Sequence, residues 1–145
     1  MEPEHNKSQG HLAIGRLGEK IACDFLENKG YKIVEKNYRR KCGEIDIICS
    51  AKSDLTTAWA SKSILHRTPK KLIFVEVKTL KREGWLSPED NFTSSKQKRL
   101  IRTCKLYMAE KNANLDDEWQ VDVIAINLKD DCRKADIRHF ENTIL

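Results

Sequence analysis

Apolar residues fall first into a helical rhythm. Ile14, Leu17, Ile21 and Phe25 follow one another at steps of three, four and four, and Ala22 and Leu26 widen the stripe. The spacing predicts a helix from about Leu12 to Gly30, a residue suited to the left-handed turn after a helix. Residues 1–10 lie ahead of the stripe and read as an unstructured tail. Tyr31–Asn37 alternates loosely and reads as a strand, followed by the basic turn Arg39-Arg40-Lys41 and a second strand at Glu44–Cys49. Residues 50–70 are rich in Ser, Thr, Lys and Ala and read as an insertion with a short helix near 58–65. KLIFVEVKTL at 71–80 is the strongest strand signal. Ser94 or Ser95 is placed to cap a second helix whose stripe is Gln97, Leu100, Ile101, Cys104, Tyr107 and Met108. Strands follow at Trp119–Asn127 and near Asp136–Phe140. The order αββ(insert)βαββ indicates one α/β domain, a central mixed sheet flanked by helices.

Two strands break the hydrophobic pattern. Side chains alternate along a strand, so Leu72, Phe74, Glu76 and Lys78 share one face, and Ile73, Val75, Val77 and Thr79 share the other. So apolar a strand is expected to be covered on both sides, yet it aims a carboxylate and an ammonium at one of them. In the second strand, Glu44, Asp46 and Ile48 are expected on one face, and Ile45, Ile47 and Cys49 on the other. Burying a charge is costly unless it is paired or meets a metal. If the strands are neighbours, Asp46 and Glu76 converge with Lys78 alongside. Two carboxylates and a lysine suit a hard cation of the Mg²⁺ type and the hydrolysis of a phosphodiester. A bare acid-x-Lys pattern carries little, since about three chance matches are expected in a chain of this composition; Glu27-Asn28-Lys29, at a helix end, is one. The first helix adds Glu19 at the flank of its apolar stripe, with Gly15 and Gly18 nearby to permit close packing.

Composition narrows the classes. The 145 residues carry 27 Lys and Arg against 22 Asp and Glu, a formal charge of +5. No apolar run nears the ~20 residues of a membrane span. The opening MEPEHNKSQGH is polar and acidic, unlike a secretory signal. The five cysteines are odd in number and lack C-x-x-C spacing, which points to reduced thiols in a cytoplasmic protein. The net charge conceals an uneven distribution: residues 36–111 hold 18 Lys and Arg against 8 Asp and Glu. Such a segment suits a phosphate backbone, with Trp59 and Trp85 as stacking groups, but a solvated helix face accounts for residues 98–105 equally well.

The residues leave three readings open: a Mg²⁺- or Mn²⁺-dependent endonuclease acting on DNA, a nucleic-acid-binding protein of the same fold that does not cut, and a buried ion-pair network in an interaction domain. The chain also resembles a known family. Gly15-x-x-Gly18-Glu19-x-x-Ala22, Gly30-Tyr31, Asn37-x-Arg39, Gly43-Glu44-Ile45-Asp46-Ile47-Ile48 and Phe74-Val75-Glu76-Val77-Lys78-Thr79 together resemble the YraN family of small bacterial proteins. That family is similar to the PD-(D/E)XK nucleases, closest to the archaeal Holliday-junction resolvases. The resemblance implies a restriction-endonuclease-like αβββαβ core and action on branched or structured DNA, and cutting at a junction would favour a homodimer with two sites. It implies Asp46, Glu76 and the Val77 carbonyl as metal ligands, Lys78 as the water-activating lysine and Glu19 as a further catalytic acid. Lys96 and Gln97 match a phosphate-facing pair. Asp122 matches a recurrent acid on the later strand, expected either to be structural or to support the site from behind, the latter role also given to Glu44. Arg39, Arg40 and Arg99 join Lys96 and Gln97 as expected nucleic-acid contacts. Two departures stand out: Leu80 occupies a position where relatives usually have Arg, and the link between the two acidic strands is long.

Overall fold

The computed structural model describes residues 5–51, 71–81, 93–113 and 118–143. The expected helix at 58–65, together with Trp59, His66, Arg67 and Trp85, lies outside them. Helix α1 (His5–Asn28) is followed by strands β1 (Lys32–Arg40), β2 (Gly43–Ala51) and β3 (Lys71–Leu80), helix α2 (Ser94–Glu110), and strands β4 (Trp119–Lys129) and β5 (Lys134–Phe140). The five strands lie side by side in chain order. Every neighbouring pair is antiparallel except β3 and β4, which run parallel because α2 carries the chain back between them. The result is the single α/β domain with a mixed sheet that the pattern predicts. No helix of the described residues is long and apolar enough to cross a membrane.

Each helix covers one face of the sheet. Ala22, Cys23 and Leu26 of α1 pack on Ile47, Cys49, Ile73, Val75, Ile124 and Ile126. Leu100, Cys104, Tyr107 and Met108 of α2 pack on Tyr38, Ile45, Ile48, Phe74 and Val121. The alternation in β3 is as expected: Ile73 and Val75 face α1, and Phe74 faces α2. Phe74 is fully buried, edge-on to Tyr107 at 5.8 Å and to Trp119 at 6.0 Å.

The helix ends differ from expectation in two places. α1 starts at His5, so residues 5–10, expected to be unstructured, are helical; the apolar stripe marks where the helix meets the sheet, not where it begins. Its C-terminus follows the pattern, with Gly30 at φ 89° and Tyr31 N–H donating to the Leu26 carbonyl at 3.0 Å. α2 is capped by Thr93, one residue before the two serines, whose side chain accepts from the Lys96 amide.

The β1–β2 hairpin departs from simple alternation. Ile45 packs on the α2 side and Ile47 on the α1 side, although strict alternation puts both on one face. The shared face expected for Glu44, Asp46 and Ile48 therefore does not hold. The break falls at Asp46, where pairing with β3 stops: the last pair is Ile47 with Val75. Across the hairpin, Lys36 pairs with Ile47 and Tyr38 with Ile45, which sets Asn37 opposite Asp46. Asn37 has φ 54°, a left-handed conformation that Asn tolerates better than most residues. The outer half of the hairpin thereby turns toward α2. Gly43, in its turn, lies so close that a Cβ there would come within 2.8 Å of Thr103 Oγ1.

Candidate active site

Because β2 leaves β3 after Ile47, the Val77 amide has no ladder partner on that side, and the Asp46 carboxylate takes its place. Val77 N–H donates to Asp46 Oδ2 at 2.7 Å. One residue to either side along β3, Glu76 and Lys78 turn to the opposite face, where Lys78 Nζ donates to Glu76 Oε1 at 2.6 Å. Both side chains are mostly covered, at 20% and 30% exposure. Burial raises the Asp46 carboxyl to a pKa of about 7; the Glu76 charge adds to the rise, and Glu19 contributes further, while the Val77 amide and Lys78 oppose it. Glu76, Lys78 and Glu19 thus all act electrostatically on Asp46.

Glu19 reaches this group because α1 crosses β3 closely. Gly18 is buried against Thr79, and a Cβ at Gly18 would lie only 2.8 Å from Thr79 Cβ. Only a glycine leaves room for the Thr79 side chain against the helix. The Glu19 carboxylate is half-buried, and Asn37 Nδ2 donates to its Oε2 at 3.2 Å. The bond from Asn37 to Glu19 is not readable from spacing, although Asn37 belongs to the motif Asn37-x-Arg39.

A cleft of about 510 Å³ opens over Glu76 and Lys78, between the hairpin turn and the start of α2. Arg39, Lys41, Lys96 and Arg99 supply most of its charge. Arg40 also borders it, but its guanidinium is committed elsewhere. It forms a two-pronged pair with Glu110 at 3.0 and 2.7 Å and stacks on the Tyr38 ring at 4.3 Å. Tyr38 also donates to Glu110 at 2.9 Å, and burial pushes its phenol up to about 12, so it remains a donor. Arg40 therefore clamps the hairpin to α2 instead of presenting a free cation. Gln97 is half-buried on α2 and does not line the cleft among the described residues.

Of the two acids considered for support of the site, neither stands behind it, and Asp122 takes the structural alternative. Glu44 is exposed at the cleft rim, 3.4 Å from Arg39. Asp122 is fully buried but belongs to a separate network on the α1 side. It accepts from Gln120 Nε2 at 2.7 Å and the Asn142 amide at 2.9 Å, and its Oδ2 lies 2.8 Å from His139 Nε2. It ties the chain's last residues to the sheet. A single sequence could not separate a buried acid satisfied by local donors from one behind a metal.

The donor set fits a hard divalent cation. Among the described residues no three His, Cys, Asp or Glu side chains are already gathered to hold a metal on their own. Mg²⁺ keeps several waters and commonly takes only one or two protein carboxylates. Asp46 and Glu76 supply that number, and their oxygens are hard donors. Burial first, and the Glu76 and Glu19 charges after it, raise the Asp46 carboxyl, an environment that a bound cation would relieve.

Comparison with known proteins agrees with the motif reading. The family model described as "Uncharacterised protein family UPF0102" matches residues 18–126, from Gly18 to Ile126 within β4. A UPF0102 protein of Alkaliphilus oremlandii is 34% identical over 131 residues, covering 89% of this chain and 95% of its own. One from Clostridium botulinum is 36% identical over 117 residues, covering 79% and 80%, and one from Lawsonia intracellularis is 35% identical over 133 residues, covering 89% and 83%. With this identity sustained across both acidic strands and both helices, the chain belongs to the UPF0102, or YraN, family.

Proposed function

We propose that this protein is a metal-dependent endonuclease that hydrolyses DNA phosphodiester bonds, with branched or otherwise structured DNA as its substrate. The observation that carries the reading is the charge coupling of two half-buried acids, Asp46 and Glu76, with Lys78 bonded to Glu76 and both Glu76 and Lys78 lining a basic cleft. A Mg²⁺ or Mn²⁺ ion held by Asp46 and Glu76, with the Val77 carbonyl, would polarise the phosphate and lower the pKa of a bound water. Lys78 lies within hydrogen-bond reach of Glu76, placed to orient the attacking water and to offset charge building on the phosphorus oxygens. Glu19, steadied by Asn37, adds a third negative charge felt at Asp46. Arg39, Lys96 and Arg99 line the cleft where a phosphate backbone would run. The likeness of the GEIDII and FVEVKT blocks to PD-(D/E)XK nucleases supports the same assignment.

The test is cleavage of single-stranded, duplex and four-way-junction DNA with Mg²⁺ or Mn²⁺. Asp46→Asn, Glu76→Gln and Lys78→Ala should each cut at least about 10²-fold more slowly than wild type, the scale of a lost acid–base or charge-stabilising group. Variants that cut at the wild-type rate would refute the assignment. Salt-dependent binding with no metal-dependent product would favour a protein that holds DNA without cutting it.

A further inference from the structure

The acids of the proposed centre open onto two clefts. Glu76 and Lys78 face the cleft against α2. Glu19 and Asn37 face a second cleft, of about 540 Å³, between the outer turns of α1 and strand β1. Arg39 lines both, so the two clefts meet at its side chain. Asp46 is coupled electrostatically to Glu76 on one side and to Glu19 on the other.

A phosphate bound at Asp46 and Glu76 belongs to a chain that continues in both directions. The first cleft accommodates one direction, over Lys96 and Arg99. The other must leave past Glu19, whose charge would repel a phosphodiester unless offset. Two groups offset it. Asn37 donates to Glu19 Oε2 at 3.2 Å. Arg16, one turn earlier on α1, stands on the same side of the helix and lines the same cleft. Leu12, 61% exposed, adds apolar surface there on which a sugar or base can rest.

We propose that this second cleft is the other half of the nucleic-acid track, and that Arg16 binds a backbone phosphate of the strand beyond the point of cleavage. The inference rests on the nuclease reading above and extends it. A track open at both ends needs no free strand terminus, so the substrate is an internal stretch of chain.

The test measures binding apart from chemistry. A fluorescein-labelled single-stranded DNA oligonucleotide is titrated with full-length protein, without divalent metal, over a range of salt concentrations, and read by fluorescence anisotropy. Arg16→Ala should weaken binding about 3- to 10-fold and flatten the plot of log K against log salt by about 0.7, the loss of one phosphate contact on a single strand. Arg16→Lys should keep the slope. Lys32→Ala, exposed at the opposite end of β1, should match wild type. If Arg16→Ala binds with wild-type affinity and slope while Arg99→Ala loses both, the second cleft is no part of the track and the inference falls, with the nuclease reading intact. If wild type shows no salt-dependent DNA binding, the nucleic-acid reading itself falls and takes the inference with it.

Discussion

Replacing Asp46 by Asn should make the metal-free protein more stable at alkaline pH, against the usual result of altering a buried charged group. The folded carboxyl ionises near 7 and an unfolded one near 3.8. The folded state therefore holds the proton more tightly, and the stability this confers is lost as pH rises from about 4 through 7. At 1.36 kcal/mol per pH unit, the full penalty above pH 7 is about 4 kcal/mol. Water entry and side-chain movement should reduce it to about 2 kcal/mol. Asn keeps an oxygen to accept from the Val77 amide and carries no charge for Glu76 and Glu19 to repel. For a domain of this size, 2 kcal/mol corresponds to a melting temperature about 4–8 °C higher. Melting curves at pH 5 and pH 8, with and without Mg²⁺, are the assay. In chelator the Asn variant should exceed wild type at pH 8 and approach it at pH 5. Adding Mg²⁺ at pH 8 should raise the wild type and leave the variant unmoved. An Asn variant less stable than wild type at pH 8, or one whose difference ignores pH, would show that these acids stabilise the fold as an ion-pair network and do not form a cation site.

Asp122→Ala should have the opposite sign: it orphans the Gln120 and His139 side chains and the Asn142 amide, so stability should fall by about 3 kcal/mol or more by denaturant unfolding, with DNA affinity unchanged. Gly18→Ala forces a methyl group onto Thr79 and should cost about 1–3 kcal/mol; adding Thr79→Ala removes the Oγ1 and Cγ2 contacts but keeps Cβ, so it should recover part of the loss, and no recovery would place the strain elsewhere. Phe74→Ala should lower stability by about 3–5 kcal/mol, since the ring is fully enclosed by α2 and Trp119. Arg40→Ala should lower the melting temperature yet leave the salt dependence of DNA binding unchanged, because its guanidinium is occupied by Glu110.

Most of the architecture was legible because it follows from periodicity. The stripe through Ile14, Leu17, Ile21 and Phe25 and the alternation of Ile73 through Val77 each answer to one repeating geometry, and the structure obeys both. The acids were legible because Asp46, Glu76 and Lys78 interrupt apolar strands. What escaped was set by non-periodic or distant contacts. The turn of the hairpin at Asn37 and Asp46 depends on one left-handed residue and the end of pairing with β3. Arg40 and Glu110 lie seventy residues apart in the chain, and nothing local marks their union. Asp122 carries the same letter as Asp46, but its donors sit on β4 and the segment after β5.

The nearest-neighbour strand order has a consequence for how the chain assembles. β1, β2 and β3 meet through sequential antiparallel pairings with α1 packed on them, and all four residues of the proposed centre lie within these elements. The parallel union of β3 with β4 must wait for α2 to bring the chain back, which makes it the step of greatest loop-closure entropy. Early in synthesis the acids can therefore stand together while Phe74 and Ile48 still lack α2, on a surface both charged and sticky. The emergence of α2 closes that surface and raises the basic wall of the cleft in the same event. The cleft over Glu76 and Lys78 is thus complete only when the second hydrophobic layer is.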